Sequence, residues 1–461
     1  MKIVIAGAGA VGTHLAKLLS NENQDIIVID ENPEKTEALS QAGNYDLLTL
    51  NVPTTSIMGM KEAGVQHSDL FIAVTPDEAR NITCCMLAHA LGAKKTVARV
   101  DNSEYMQKAH LDFFRQMGID SLIYPEQLAA EEIMNGLKRS WARQYWEFHG
   151  GALVMLGIKL RESAKILNTP LATLCPPDSP YHVVAIKRGS ETLIPNGRHE
   201  LQLGDIVYFM TTRKYIPYIR EIVGKEDYAD VKNVLIMGGG HTCIHVAQMK
   251  PDYMSMRIIE QSEVRCNRLN DLLDDEIMVI QGDGRDTNLL LDEGIKDTQA
   301  FCALTPETET NILACLAAKR MGVRKTVALC ENMDYIDMAE KLDIGTIINK
   351  KTIAASHIYQ MMLDADVSNV KCLNIANADV AEFIAADDSP ITKHLIRDIK
   401  LPEGITFGGL IRNDVGMPIN GNTQIQPGDS VVVFCRSQLI KKIDALFRKP
   451  SGSILAKIGL K

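Results

Sequence analysis

Three glycines near the N-terminus have the spacing of a loop that binds the phosphates of a nucleotide. An apolar strand, Lys2 to Ala6, leads into Gly7, Gly9 and Gly12, and a helical pattern opens directly after them. The first glycine permits a tight turn, the second lets the backbone approach a phosphate, and the third lets helix and strand pack closely. Free N–H groups at the helix N-terminus then attract the phosphate. The residues predicted to form this loop are Gly7, Ala8, Gly9, Ala10, Val11 and Gly12.

Two side chains farther along the chain are placed to complete this site. Asp30 ends the second predicted strand. A carboxylate there accepts hydrogen bonds from ribose hydroxyls and repels a 2′-phosphate, which favours NAD over NADP. Arg99 ends a later strand, TVARV. Two alternatives stay open for Arg99, namely a contact with a phosphate across the cleft and a surface salt bridge.

The chain repeats itself once. Lys95-Thr96-Val97-Ala98 returns as Lys325-Thr326-Val327-Ala328, and the glycine loop at Gly7-Ala8-Gly9 returns as Gly238-Gly239-Gly240. Several matches at nearly the same offset indicate a duplicated unit, which sets the architecture of the chain.

The second copy carries an altered version of the site. Its loop keeps Gly238 and Gly240, and three replacements distinguish it from the first: Cys243 for Gly12, Glu260 for Asp30, and Leu329 for Arg99. Asp283 lies in a Gly-Asp-Gly turn after the third strand of this copy, where we expect it to approach an adenine ring. The sequence therefore predicts one strong nucleotide site and one site with a modified preference.

Each copy has a larger first part and a smaller second part. Apolar strands alternate with helical patterns in the first part, which predicts a parallel sheet covered on both faces, and the second part is rich in strands. The fold class is therefore α/β, with tandem Rossmann-like parallel-sheet domains, each followed by a small α+β domain. The expected domains are 1–124, 139–225, 231–350 and 367–450.

A connecting helix is predicted between the two parts of each copy. In the first copy it begins after Pro125 and carries an apolar stripe of Leu128, Ile133, Leu137 and Trp141, and in the second copy it covers KKTIAASHIYQMMLDA. The stripe fits packing on a neighbouring domain or on another subunit, and packing in the core is the default.

Composition excludes several classes of function. The net charge of −9 argues against a general nucleic-acid binder. The ten cysteines lack the C-x-x-C spacing, which predicts buried, reduced thiols and no metal site. No apolar run is long enough for a membrane helix, and the N-terminal apolar run is too short for a signal peptide.

The sequence also lacks the residues that a dehydrogenase needs. We find no proton donor and carbonyl-orienting group in a convincing arrangement, and no P-loop. No catalytic residue is assigned, and the chain is predicted not to be an enzyme. Two alternatives remain, namely an NAD-dependent oxidoreductase and a sensor whose strand-rich parts bind a second ligand.

These residues resemble the RCK family, the regulators of K⁺ conductance. The resemblance rests on the first glycine loop, Asp30, Ala73-Val74-Thr75, Asn81 and Ala98-Arg99-Val100. The small parts resemble the RCK C-terminal domain through the turns Leu-x-x-Gly-Asp-x-Val at 201–207 and Ile-x-Pro-Gly-Asp-x-Val at 425–431. The resemblance covers nearly the whole chain as two RCK N-terminal and C-terminal pairs.

The resemblance implies a regulatory subunit of potassium uptake. Such a protein lies in the cytoplasm at the inner face of the membrane, without inserting into it. It forms a homo-oligomeric ring, expected to be a tetramer, on a membrane potassium transporter of the TrkH or TrkG type. NAD(H), ADP or ATP would bind and gate the flux of K⁺. The residues that would line the two sites are Gly7, Gly9, Gly12, Asp30, Thr75 and Arg99 in the first, and Gly238, Gly240, Glu260, Asp283 and Thr305 in the second.

This sequence departs from the family pattern in two places. Asn51 to Pro53 replace the Gly-Asp-Gly turn in the first copy, and Cys243 replaces the third glycine in the second. These departures concern the adenine contact of the first site and the phosphate contact of the second.

Overall fold

The computed structural model divides into two compact units. It describes residues 1–20, 24–43, 45–176, 178–189, 191–228, 230–362, 367–373, 378–402, 404–435 and 439–449. The first unit comprises residues 1–128 and 350–362, and the second comprises residues 129–349 and 363–461. The predicted domain end at residue 450 lies outside the described residues, as do 363–365 of the second connecting helix.

The first unit contains a six-stranded parallel sheet. Its strands are β1 (Lys2–Ala6), β2 (Asp25–Asp30), β3 (Leu47–Asn51), β4 (Leu70–Ala73), β5 (Thr96–Arg99) and β6 (Ser121–Ile123). The helices among them are α1 (Ala10–Ser20), α2 (Pro33–Gln41), α3 (Ile57–Glu62), α4 (Glu78–Leu91) and α5 (Lys108–Gln116). Strands β1 and β4 are buried almost throughout, as expected for a sheet covered on both faces.

The strand order of this sheet determines where a ligand can bind. The order is β3-β2-β1-β4-β5-β6, with every pairing parallel. The chain runs outward in one direction from β1 to β3 and in the other from β4 to β6. Ligands of such sheets bind at the carboxyl ends of the strands where the order reverses. The reversal lies between β1 and β4, beside the glycine loop.

The second unit contains an equivalent parallel sheet. Its strands are β12 (Asn233–Met237), β13 (Ser255–Glu260), β14 (Met278–Gln281), β15 (Ala300–Ala303), β16 (Lys325–Leu329) and β17 (Thr346–Ile348), in the order β14-β13-β12-β15-β16-β17. Its helices are α9 (His241–Gln248), α10 (Glu263–Leu272), α11 (Thr287–Asp292), α12 (Thr308–Arg320) and α13 (Ile336–Lys341). The duplication read from the sequence is therefore a duplication of fold.

The second unit also holds two small antiparallel sheets with identical topology. The first is formed by β7 (Gln144–Phe148), β8 (Leu153–Lys159), β9 (Tyr181–Arg188), β10 (Glu191–Leu193) and β11 (Ile206–Thr211), in the order β10-β9-β11-β8-β7. The second is formed by β18 (Val367–Leu373), β19 (Ala378–Ile384), β20 (Ile405–Arg412), β21 (Val415–Pro418) and β22 (Ser430–Cys435), in the order β18-β19-β22-β20-β21. Short helices α7 (Leu171–Leu174) and α8 (Ile216–Ile222) accompany the first sheet, and α15 (Ile440–Phe447) accompanies the second.

The repeated Gly-Asp turn has a structural role in both small domains. Asp205 is almost fully buried and binds the Arg188 guanidinium and the backbone N–H of Gln202. Asp429 binds Arg412 and the N–H of Gln426 in the same way. The aspartate therefore joins the turn to the neighbouring strand, as expected for a buried carboxylate.

The two small sheets pack against each other within the second unit. The rings of Tyr208 and Phe434 lie 6.1 Å apart, and both side chains belong to one apolar cluster. Gly416 of β21 has no room for a side chain, because a Cβ there would overlap the carbonyl oxygen of Ala152. Glycine in a strand therefore lets the two backbones approach closely.

The connecting helices lie mostly in different units, α6 (Pro125–Leu137) in the second and α14 (Lys350–Met362) in the first. Helix α6 crosses the unit boundary, and a Cβ on its Gly136 would lie 3.7 Å from Nζ of Lys325 in β16. Helix α14 belongs to the first unit and contacts α1. Trp141, predicted on the stripe of the first helix, lies beyond the end of α6 in the core of the first small domain. The predicted apolar stripe was too long, because helix α6 ends at Leu137 and the chain turns there.

Buried cysteines are a further feature of the described residues. The nine cysteines whose side chains the structure describes are free thiols, and all of these except Cys175 are buried. In the described part of the chain, no helix is both long and apolar enough to cross a membrane.

Candidate nucleotide-binding sites

The first glycine loop has the geometry that the motif predicts. Gly7 has a φ of +111°, in the region that favours glycine, and its N–H donates to the carbonyl of Ile29 at 2.9 Å. A Cβ on Gly12 would overlap the carbonyl oxygen of Gly7, so that helix and loop meet at van der Waals distance. A Cβ on Gly9 would meet no atom within 4 Å. Gly7 and Gly12 thus serve the fold, whereas Gly9 borders open space.

The N-terminus of α1 points its free donors at this space. The first helical hydrogen bond here runs from the N–H of Thr13 to the carbonyl of Gly9, at 2.9 Å. The preceding N–H groups of Ala10, Val11 and Gly12 belong to the turn that has no intrahelical acceptor. Donors of this kind, together with the positive end of the helix dipole, bind phosphate.

Asp30 lies directly behind the loop. Its carboxylate is 7% exposed and accepts the Ala8 N–H at 2.7 Å and the Asn32 N–H at 2.8 Å. The side chain therefore holds the glycine loop in place. A carboxylate has about four acceptor positions, so that two bonds leave capacity for ribose hydroxyls.

Thr75 is held by a network that centres on Asn81. The Thr75 N–H and hydroxyl both donate to Asn81 Oδ1, at 2.8 and 2.7 Å. Asn81 Nδ2 donates to the carbonyls of Thr75 and Arg99, each at 2.9 Å. The buried amide thus ties together the ends of β4 and β5 and the start of α4. This arrangement explains why Asn81 belongs to the pattern.

Arg99 lies at the same edge of the sheet and forms the salt bridge that was one of its two predicted alternatives. Its Nη2 lies 3.0 Å from Asp101 Oδ1, and the side chain is 21% exposed. Among the described residues, its buried Nε finds no acceptor. Burial alone would raise the pKa of nearby Glu126, but Lys350 and the charge of Arg99 lower it. Because its Nε has no acceptor, the Arg99 guanidinium keeps a free donor. A contact of this donor with a phosphate stays a prediction.

An ion pair that sequence reasoning missed lies at the rim of the first site. Arg80 in the first turn of α4 pairs with Glu31, the residue after β2, at 2.7 Å. The hydrogen bond that Arg80 donates to the Glu31 carboxylate raises the pKa of Arg80. Gln261 and Thr310 stand at these positions in the second copy. No spacing signal connects residues so far apart in the sequence, because only the sheet order brings them together.

The second loop reproduces the first with altered residues. Gly238 has a φ of +100°, and a Cβ on Gly240 would meet no atom within 4 Å. Glu260 accepts the N–H of Gly239 at 2.8 Å and that of Ser262 at 2.9 Å. These are the same two bonds that Asp30 makes, so the longer side chain takes over its structural role.

Cys243 is fully buried where the first copy has Gly12. Burial raises the pKa of its thiol well above the usual range, and Cys302 and Glu260 add to this shift. The thiol is therefore neutral and acts as a small apolar side chain at the base of α9.

Thr305 and Asp283 differ in how they relate to the second site. Thr305 repeats the network of Thr75, with both its N–H and its hydroxyl donating to Asn311 Oδ1. Asp283 is bound by the side chain and N–H of Arg285, whose hydrogen bonds hold the pKa of that carboxyl well below its usual range. Any contact of Asp283 with an adenine ring stays a prediction.

A pocket of about 310 Å³ opens above the second loop. Its lining residues are Gly239, Gly240, His241, Ile244, Arg265, Arg268, Leu269 and Pro306. Sequence reasoning did not single out Arg265 and Arg268. They lie three residues apart on α10, and a comparison with Lys35 and Ala38 of α2 would have shown the difference in charge.

In the described residues, no group of His, Cys, Asp and Glu is arranged to hold a metal ion.

The chain is similar to known domains both in sequence and in fold. The TrkA-N domain matches residues 3–125 and 234–350, and the TrkA-C domain matches residues 380–448. The RCK domain of GsuK has a TM-score of 0.61 at 12% identity, covering 97% of this chain and 94% of the other. The GsuK channel bound to NAD has a TM-score of 0.60 at 13% identity, covering 97% and 78%. The chain thus has the fold of a tandem RCK protein.

Sequence relatives narrow this class to one family. The Trk system potassium uptake protein TrkA of Halomonas elongata is 30% identical over 97% of this chain and 99% of its own length. The TrkA homolog of Archaeoglobus fulgidus is 28% identical over 97% and 100%. The chain belongs to the TrkA family. Both relatives are named as potassium uptake proteins, in agreement with the prediction of a subunit that is not an enzyme.

Proposed function

We propose that this chain is the nucleotide-responsive regulatory subunit of a potassium uptake system. It acts as a homo-oligomeric ring, a tetramer, on the cytoplasmic face of a membrane transporter of the TrkH or TrkG type. NAD(H), ADP or ATP binds at the two glycine loops and changes the flux of K⁺ through that partner. Family membership and the likeness in fold to a channel bound to NAD support this proposal.

The open space at the middle glycine of each loop is the observation that carries the proposal. Gly7, Gly12 and Gly238 are required by backbone conformation or packing, but Gly9 and Gly240 have no neighbour that forbids a side chain. A phosphate seated on the helix N-terminus needs this space. The glycine at these two positions is therefore explained by a ligand.

Regulation without catalysis follows from population shift. A nucleotide that binds one shape of the ring more tightly than another moves the ring toward that shape, by the difference in binding free energy alone. The sites differ in charge, with Arg99 in the first and Leu329 in the second. Ligands of different charge can thus favour different shapes, while the gate itself lies in the transporter.

Alanine substitutions at the middle glycines test the sites directly. Gly9→Ala and Gly240→Ala add a methyl group in open space, so the unfolding midpoint should stay unchanged. Binding of ATP and NADH at the altered loop, measured by calorimetry, should weaken at least about tenfold, because each lost hydrogen bond to a charged group is worth about 1.5–3 kcal/mol. Gly136→Ala within α6 is the matched control and should leave binding unchanged.

Flux measurements then connect binding to transport. The chain and its membrane partner are reconstituted in vesicles, and K⁺ uptake is followed with and without ATP, ADP and NADH. The double variant Gly9→Ala/Gly240→Ala should lose the nucleotide dependence of uptake while still binding the transporter. If nucleotides still regulate uptake after both loops have lost binding, the proposed function is wrong.

The same protein separates regulation from the alternative of an oxidoreductase. NADH should be bound without being consumed, so that its absorbance stays constant across a panel of small carbonyl substrates. Steady oxidation that disappears in Gly9→Ala would favour the oxidoreductase.

A further inference from the structure

The two nucleotide sites differ in the charge that the helix after their second strand presents. Helix α10 carries Arg265 and Arg268, whereas α2 of the first copy carries Lys35 and Ala38 at the same positions. Both arginines line the pocket above Gly240. Because the two sheets have the same strand order, this difference is one of side chains and not of fold.

Among the described residues, neither guanidinium donates a hydrogen bond to a carboxylate, and only Arg265 has an ion pair, a long one with Glu260. Nη1 of Arg265 lies 3.7 Å from Oε1 of Glu260, and this carboxylate already accepts the N–H groups of Gly239 and Ser262. Within the described part of the chain, Arg268 has no ion pair or hydrogen bond from its side chain. Two guanidinium groups therefore keep donors that are available to a ligand in the pocket.

The opposite wall of the pocket adds to the positive potential. It is the first turn of α9, where the hydrogen bond from Ile244 N–H to Gly240 O is the first of the helix. The N–H groups of residues 241–243 precede this bond and lack helical acceptors. Free N–H donors on one side and two guanidinium groups on the other surround a space of about 310 Å³. Such a space suits a ligand with several exposed anionic oxygens.

We infer that Arg265 and Arg268 make the second site selective for nucleotides that end in a free phosphate, the nucleoside diphosphates and triphosphates, over dinucleotides. This inference rests on the proposed function, because it assumes that the glycine loop binds nucleotides. A terminal phosphate has more charge and more free oxygens than the doubly esterified pyrophosphate of NAD, and arginine binds such oxygens in a bidentate manner.

The first site lacks this selection. Ala38 there has no charge, and Arg99 approaches from the end of β5, on the other side of β1. Leu329 takes the place of Arg99 in the second site. The first site thus has one cation, Lys35, on this helix and Arg99 on the other side, whereas the second has two arginines on this helix and no cation at position 329, so the two sites respond to different nucleotides.

Calorimetry on the full chain tests this selectivity. The parent protein is Gly9→Ala, so that binding reports on the second site, and the ligands are ATP and NAD⁺ at fixed ionic strength. In Arg265→Gln/Arg268→Gln, the Kd for ATP should rise about tenfold or more, since hydrogen bonds to charged groups are lost. The Kd for NAD⁺ should change less than about threefold, and ATP binding should depend less on salt.

Two further variants serve as controls. Arg320→Gln removes one arginine charge from the last turn of α12, at the far end of the helix, and should leave both Kd values unchanged. Arg265→Lys/Arg268→Lys keeps the charges without the bidentate geometry and should give intermediate ATP affinity. It also preserves the test should the glutamine pair fail to fold.

The outcomes separate the inference from the function on which it rests. If Gly240→Ala leaves both nucleotides bound in the Gly9→Ala background, the loop is not the site and the proposed function fails. If Gly240→Ala abolishes binding but the arginine pair leaves the ratio of ATP to NAD⁺ affinity unchanged, only the inference is overturned. An equal loss for both ligands overturns it as well.

Discussion

The ion cluster around Asp343 leads to a sharp prediction about stability. The carboxylate accepts Lys159 Nζ at 3.0 Å and also pairs with Arg143, Arg161 and Lys319. Lys159, Arg143 and Arg161 belong to the first small domain, whereas Asp343 and Lys319 belong to the adjacent parallel-sheet domain of the same unit. One carboxylate thus joins the two domains through three cations of the small domain, and the fourth cation, Lys319, lies in its own domain.

Asp343→Asn removes the charge with little other change. Asp343 has a φ of +56°, a left-handed conformation that asparagine also tolerates. The two side chains have nearly the same volume. The substitution therefore leaves the backbone in place and the four cations without their carboxylate.

The expected loss is about 3 kcal/mol in the free energy of unfolding. A unit-charge pair separated by 3.0 Å has a Coulomb energy of about 5.5 kcal/mol at an effective dielectric constant of about 20, before the cost of desolvation. Removing one partner of a buried pair costs about 3–5 kcal/mol. Because the Asp343 side chain is 23% exposed, we expect the lower end of this range.

Tryptophan fluorescence during urea unfolding measures this loss in the right part of the chain. The only two tryptophans, Trp141 and Trp146, are buried in the first small domain. At about 3 kcal/mol per molar urea, the midpoint for Asp343→Asn should fall by about 1 M at pH 7. Removing the facing cation as well, in Asp343→Asn/Lys319→Gln, should restore part of the loss.

The pH dependence has a definite sign. Burial alone would raise the pKa of Asp343, but Arg143, Arg161 and Lys159 hold it well below its usual range. Its contribution to stability is therefore present above the unfolded pKa of about 4 and is lost as the pH falls through the folded pKa. The difference between wild type and Asp343→Asn should shrink below about pH 4.

Asp337→Asn is the matched control. Asp337 lies on α13, is exposed, and pairs with Lys341 one turn along the helix. Exposed pairs of this kind stabilise little. If Asp343→Asn lowers the midpoint no more than Asp337→Asn does, the cluster does not join the domains energetically and the reasoning is refuted.

Three further predictions concern single positions. Gly12→Ala should lower the melting temperature of the first unit by several degrees, because the new methyl overlaps the carbonyl of Gly7. Burial lowers the pKa of Lys325 to about 7, and its unfolded value is about 10.4, so that the unfolded state binds more protons between these values and stability should rise with pH there. Lys325→Met should abolish that rise, as followed by tryptophan fluorescence. Gly416→Ala should destabilise the packed small sheets, because its Cβ overlaps the carbonyl of Ala152, and calorimetry measures the shift.

Each of these predictions has a matched comparison. Gly9→Ala should keep the melting temperature that Gly12→Ala loses, and equal effects would contradict the steric argument. Lys95 occupies the position of Lys325 in the first copy and is exposed, so Lys95→Met should leave the pH dependence of stability unchanged. Gly421→Ala places its Cβ 3.2 Å from Cβ of Arg397, a tight contact without the overlap found at Gly416, and should cost less than Gly416→Ala.

The nucleotide loops could be predicted from the sequence because their physics is local. Gly7 and Gly12 are required by the turn and by the helix beside it, and both conditions involve residues only a few positions apart. Asp30 binds the loop from the end of the next strand, 22 positions from Ala8, and it was predictable because the dinucleotide-binding motif places an acidic residue at the end of that strand. The duplication was also readable, because both copies kept their strand and helix patterns.

The rim of each site was not predictable in the same way. The pair of Arg80 and Glu31 joins residues on separate elements, and neither stands in a motif. By sequence, Arg265 and Arg268 belong to an ordinary polar helix. Only the fold places their side chains along a pocket. The ion pair of Arg99 with Asp101 likewise depends on the fold, and the phosphate contact of Arg99 stays a prediction.

Lys95 and Lys325 show most directly what the sequence determined and what the tertiary structure decided. Both begin the same Lys-Thr-Val-Ala segment, and the sequence determined that each begins or borders a strand of a parallel sheet. Lys95 is exposed, whereas Lys325 is buried and donates to the carbonyl of Ala142 at 2.8 Å. Strand formation depends on local pattern, but burial depends on which neighbouring domain covers the strand, and no local pattern encodes that.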